Sequence, residues 1–351
     1  MKGIILILCL GFFSSAWADN LDVYKEVSDK FFEENVAKLN RGTLKQKLEA
    51  IDKFRQMKTR RALRPLISAL RGTTVDGEVP TKDLKISTKD GEKTDDKIAN
   101  LDLEEHNQPI IRFLASQAIA ELYHEMGMKP MTEVYKQMAE KIDENAKVYA
   151  YTNEFDQVNA VNATGEILRS IGKLADNLEL LEEDNDSHLK PNRTAITLGM
   201  ETLKEAIAHK HYYIRAAAAD GLFYSHRKEE ALNILNSAVD AEKDNYAKAA
   251  MLSAIIGLQP GNSTRMMQLA EFLKDSSSVV RLRASQGLGN SGIQFAQTYL
   301  TRALQYEESP AVRTQIKSDI KRLTYPSVPQ APTYAYQKEG VFAPENRIKR
   351  K

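Results

Sequence analysis

From about residue 195 onward the hydrophobic positions repeat at two scales, once at helical spacing and again roughly every 33 residues. Four segments align on a basic residue: YIRAAAADGL around Arg215, YAKAAMLSAI around Lys248, VVRLRASQGL around Arg281 and AVRTQIKSDI around Arg313. Their spacings are 33, 33 and 32. One residue before the basic position stand Ile214, Ala247, Val280 and Val312; three after it stand Ala218, Met251, Ala284 and Ile316. Six and seven after it come Gly221-Leu222, Ala254-Ile255, Gly287-Leu288 and Asp319-Ile320. These offsets share one face of an α-helix, so each segment predicts a helix with an apolar stripe. Weaker copies lie upstream. IIRFLASQAIAEL carries Arg112, Ala115 and Ala118-Ile119; AVNATGEILRSIG has Asn162 in the basic position; TLKQKLEAIDKF carries Lys45, Leu48 and Ile51. The copies number about seven.

Between them runs a second amphipathic segment, at 62–70, 195–208, 229–240, 266–273 and 295–304, set off by turns such as Gln259-Pro260-Gly261-Asn262. Each repeat is therefore a helical pair. One pair cannot bury its stripe alone, whereas stacked pairs bury it against one another. The prediction is an all-α chain, a right-handed α-solenoid of about seven helical pairs over 19–323.

The pattern of an L-x-x-L helix, a turn with Asp or Glu and then V-R-x-x-A-x-x-x-L resembles the HEAT repeat, in its short HEAT-like bacterial form. The resemblance covers about 43–323 and is clearest from 195 to 323. It implies that the recurring cation pairs with an acid in the turn of its own repeat. Asp275 precedes Arg281 by six residues, Glu242 precedes Lys248 and Glu307 precedes Arg313, whereas His209 precedes Arg215 and breaks the rule. These residues are expected to form a structural ladder. The resemblance also implies an interaction surface rather than an enzyme.

Two stretches interrupt the period. Residues 73–107 hold ten acids against five bases with no periodic apolar positions, and read as a flexible insertion in an intra-repeat turn. A second, acidic break spans 176–191; its run from Glu182 to Asp186 lacks the spacing of a calcium loop. After Leu323 the period stops. The tail, 324–351, is punctuated by Pro326, Pro329, Pro332 and Pro344 and ends in Arg347, Lys349, Arg350 and Lys351, a basic end suited to weak contact with an anionic envelope surface.

The amino terminus changes the compartment. Lys2, the apolar run from Ile4 to Phe13 and Ala16-Trp17-Ala18 form a secretory signal with cleavage after Ala18. Cleavage removes Cys9, the chain's one Cys, and Lys2, leaving 48 basic and 48 acidic residues. A Cys-free exported chain fits a bacterial periplasm, and zero net charge excludes a dedicated nucleic-acid binder. No other run is long and apolar enough for a membrane span.

No catalytic or cofactor-binding set emerges. H-E-x-x-H, G-x-S-x-G, phosphate loops and Gly-rich dinucleotide turns are absent. His209 and His211 read as turn residues without a third metal ligand, and Gly221, Gly257, Gly287 and Gly289 as helix-packing or helix-ending positions. A solenoid offers a long concave face. Offsets of five and nine from the basic position place Gln117, Asp220, Ser253, Gln286 and Ser318, with Glu121, Tyr224, Asn290 and Arg322, on a polar row suited to a protein partner. The expected function is an exported, non-enzymatic scaffold or adaptor binding a protein along that row. An envelope binder acting through the basic tail is the alternative, and a hydrolase or metal enzyme a third.

Overall fold

The computed structural model describes residues 28–75, 109–148, 158–183 and 193–324. The signal with Ala16 and Ala18, nearly all of the 73–107 insertion, the second break beyond Glu183 and the tail beyond Thr324 lie outside them.

The described chain forms fourteen α-helices and, among the described residues, no strand. They are α1 (28–41), α2 (Leu44–Met57), α3 (Leu63–Arg71), α4 (109–120), α5 (Met128–Ala139), α6 (Ala160–Glu183) and α7 (Arg193–Ala206). Then follow α8 (Tyr212–Phe223), α9 (Lys228–Val239), α10 (Asn245–Leu258), α11 (Ser263–Glu271), α12 (Ser278–Asn290), α13 (Ala296–Tyr306) and α14 (Pro310–Thr324). Among the described residues they pair in sequence into seven helical hairpins stacked as a solenoid. The second helices stack directly, α6 on α8, α8 on α10, α10 on α12 and α12 on α14, while the first helices cover them from outside. All seven basic-position segments lie on second helices.

Local chemistry sets the helix ends. Thr43 opens α2 with a capping box, accepting from Gln46 N while the Gln46 side chain accepts from Thr43 N. Asp244 and Asn262 cap α10 and α11 by accepting from Ala247 N and Arg265 N. Gly72 closes α3 at φ 74°, a left-handed conformation that glycine reaches without strain.

The two layers bury different amounts of helix. On α9 only Ala231, Ile234, Leu235 and Val239 are buried, one stripe of an otherwise wet helix. On α8 every residue from Ala216 to Leu222 is buried, because that helix touches two stacked neighbours and the outer layer. Fully burying a Leu or Ile contributes about 1.5–3 kcal/mol, so the stacked row carries most of the stabilisation. Close approach is part of it. A Cβ on Gly172 would stand 2.2 Å from the Gly221 carbonyl oxygen, so α6 and α8 meet backbone to backbone.

Three segments depart from the sequence reading. Helices α1 and α5 were not expected, although Met128, Met131, Val134, Tyr135 and Met138 bury a helical stripe on α5. The acidic break was expected to open at Asp176, but α6 runs on to Glu183, held by buried Leu174, Ala175 and Leu178.

Candidate partner-binding face

Two of the ladder arginines, Arg215 and Arg281, each span two repeats. Arg215 donates from Nη1 to the carbonyls of His209 and Lys210, both at 2.9 Å, in its own turn. Its Nε and Nη2 fork onto the Glu242 carboxylate of the next turn at 2.6 and 2.7 Å. Arg281 repeats the arrangement, with the Asp275 and Ser276 carbonyls behind it and Glu307 ahead at 2.7 and 2.8 Å. Arg313 donates to the Glu307 carbonyl at 2.8 Å. The ladder therefore runs between repeats, not within one as the resemblance implied. What an arginine needs from its own turn is the backbone carbonyl six residues back, which explains why His209 serves there. The side chain at that place has another task, accepting the N–H two residues on: His211, Asp244, Ser277 and Ser309 donate to His209, Glu242, Asp275 and Glu307. Lys248 has one ammonium and cannot make both connections; Asn245 reaches Asp275 at 2.7 Å instead. The Arg281 fork, the largest influence, holds the Glu307 carboxyl below its ordinary value.

The predicted polar row is not an open face. Asp220, Ser253, Gln286 and Asn290 are buried, Gln117, Glu121, Tyr224 and Arg322 are half-buried, and Ser318 alone is exposed. The correction has a packing reason. On a helix flanked by two stacked neighbours, the position five beyond the cation points along the seam between helices, not out of the row.

That seam holds a polar network whose main members the sequence reading missed. Arg169 of α6, 1% exposed, donates from Nε to Asp220 Oδ2 at 3.0 Å and lies 3.5 Å from Glu166. Gln117 of α4 donates to Glu166 Oε1 at 2.9 Å. Arg283 of α12 pairs with the other Asp220 oxygen, both residues 2% exposed. Tyr213 lies against the Arg169 guanidinium, 5.2 Å from ring centre to Cζ, and stacks on Tyr246 at 6.2 Å. Burial pulls the Arg169 pKa down, but Tyr213, Asp220 and Glu166 outweigh it, so the guanidinium stays charged. Lys173 stands 5.5 Å from the Tyr224 ring centre. A signal for these residues exists in the sequence. Arg169 occupies the position, seven beyond Asn162, that carries Leu222, Ile255 and Leu288 in sibling repeats, and Arg283 stands where siblings carry Ala217 and Ala250.

The rest of the row is fixed at its two ends. Glu121 is paired with Lys58 at 2.9 Å and lies 3.7 Å from Arg55. Arg322 bonds Asn290 and stands 3.3 Å from Asp319. Asp319 accepts from Ser285 Oγ at 2.6 Å and from Gln315 at 2.9 Å. Burial pushes its carboxyl up to about 6 against the pull of Ser285, Arg322 and Gln315. An acid whose folded pKa is raised contributes stability below its unfolded value and loses it as pH rises through the folded one. Acidification from pH 7 to 5 is therefore expected to stabilise the protein, and Asp319→Asn to remove that gain. Urea titrations of both proteins across this range check it, and equal pH slopes would refute the assignment.

Among the described residues no three His, Cys, Asp or Glu converge as a metal-holding group, and no helix is long and apolar enough to cross a membrane. No protein-family model matches the sequence, and no curated protein does. Among solved structures, the chain is similar to the complex of CpcE and CpcF of phycocyanin lyase from Nostoc sp. PCC7120. That likeness has 14% sequence identity and a TM-score of 0.39, and covers 83% of this chain and 94% of that one. The expectation of a protein without enzymatic activity is withdrawn on this comparison, because the similar structure is that of a lyase.

Proposed function

We propose that the chain is an exported helical-repeat adaptor that holds a protein partner along its stacked row of second helices. Contact falls on the accessible members of that row, Gln117, Glu121, Tyr224, Ser318 and Arg322. The observation supporting this reading is that four of the five are already held in place. Glu121 is fixed by Lys58, Gln117 by Glu166, Arg322 by Asn290 and Tyr224 by Lys173. Immobilising a free side chain on binding costs roughly 0.5–1.5 kcal/mol, and residues held beforehand avoid most of it.

A photo-crosslinking residue placed in living cells at Tyr224 or Ser318, and at exposed Lys204 on the outer layer, tests the reading. The expected outcome is one shared adduct from the two inner sites and none from Lys204. No adduct at the inner sites, or the same adduct from all three, rejects it. Export rests on the segment Met1 to Ala18 and is read separately: the recovered chain should begin at Asp19, and an intact Met1 would remove export from the proposal.

A further inference from the structure

We infer that Arg283 is a curvature clasp, an ionic tie that sets how tightly the solenoid bends. The placement of its partner carries the inference. Arg283 belongs to α12 and Asp220 to α8, and α10 is stacked between them. Neighbouring packed helices stand roughly 8–10 Å apart, so the axes of α8 and α12 in a flat row would be separated by about twice that. With α10 between them, the two side chains meet only if the row bends toward the face that carries both. The sequence clears the way. At the positions equivalent to Arg283 and Asp220, α10 carries Ala250 and Ser253, side chains too short to block the crossing.

Four other ties along the stack, Gln117 to Glu166, Arg169 to Asp220, Arg215 to Glu242 and Arg281 to Glu307, each join adjacent repeats. Such ties fix the step from one repeat to the next but leave bending shared among several interfaces. A contact that omits a repeat acts across two interfaces at once. Asp220 serves both kinds: Arg169 holds one oxygen from the preceding repeat and Arg283 the other from two repeats on. Around the pair, the Gly287 side of α12 lies tight against Ser253, where an added Cβ would stand 2.0 Å from Oγ. Release of the clasp therefore opens the far side of a hinge whose near side is already in contact. The inference concerns the shape of the stack and stands whether or not a partner occupies the row.

Spin labels on cysteines replacing exposed Lys53 in α2 and Lys321 in α14, in a Cys9→Ser background, report the end-to-end separation in the full chain. Arg283→Met keeps much of the apolar stem and removes the guanidinium, leaving Asp220 paired with Arg169. The expected result is a separation longer by several ångström with a broader distribution, and a larger radius of gyration by X-ray scattering. Leu235→Ala, which opens a cavity on outer helix α9, serves as the comparison for destabilisation alone and is expected to keep the original separation. An unchanged separation in folded Arg283→Met overturns the clasp, and so does an equal lengthening in Leu235→Ala. Should Arg283→Met fail to fold, Arg283→Gln, polar but without the charge, must still lengthen the separation; a folded Gln variant at the original distance overturns the inference.

Discussion

Asp220→Ala is expected to destabilise the protein by about 3–5 kcal/mol, the size associated with removing one partner from a buried ion pair. The residue sits between Arg169 and Arg283, all three at 2% exposure or less. Without its carboxylate two guanidiniums lie close together inside the stack, and Glu166, 3.5 Å from Arg169, compensates for only part of one. Helix propensity works in the opposite direction, since alanine is favoured over aspartate within a helix by a few tenths of a kcal/mol, too little to matter. Urea denaturation followed by circular dichroism measures the loss. A triple replacement, Arg169→Met with Asp220→Leu and Arg283→Met, separates the two components. Buried ionic triads exchanged whole for apolar residues of similar volume are often neutral or stabilising. The triple variant should therefore regain most of the stability lost by Asp220→Ala. A single variant within 1 kcal/mol of wild type, or a triple variant no better than the single, would show that the network is not the strained, mutually dependent unit its burial implies.

Gly172→Ala is the second large effect, and its sign runs against the ordinary rule. Alanine in a helix interior is better than glycine by about 1 kcal/mol, and Gly172 lies well inside α6. Yet the new Cβ would stand 2.2 Å from the Gly221 carbonyl oxygen and 2.6 Å from both its carbonyl carbon and its Cα. All three are backbone atoms of the adjacent helix, so no side chain can turn aside. Either α6 and α8 separate, or the row shifts at its most polar crossing. Overpacking of this kind commonly costs 1–3 kcal/mol and sometimes more, so the net outcome is a loss of about 2 kcal/mol or greater. Gly261 offers the contrast: a Cβ there meets nothing, and the difficulty is the left-handed φ of 98° alone. A melting temperature for Gly172→Ala equal to or above that of the parent would mean that the two helices separate freely.

The two variants bear on different parts of what the sequence made legible. The repeat was legible because a helix packed on one side advertises its buried stripe every three or four residues, as Leu235 and Val239 do on α9. It faded where that condition failed. Helix α5 escaped notice because the insertion before it and the loop after it break the 33-residue register, although its methionines keep helical spacing. The polar row was misplaced for the reverse reason. Second helices are buried nearly all round, and a rule that assigns polar residues to the outside sends Asp220 and Gln286 to the surface.

By itself the sequence determined the fold class, the number of helical pairs and which helix of each pair carries the recurring cation. These depend on periodicity within a single repeat, and apolar burial enforces them locally. Only the tertiary structure decided where the charges go. Arg215 reaches forward to Glu242 across 27 positions and Arg283 back to Asp220 across 63. No pattern internal to one repeat encodes either distance, because each depends on how far one hairpin is rotated and translated onto the next. The stripe makes the repeats stack, and the stacking selects which ions meet.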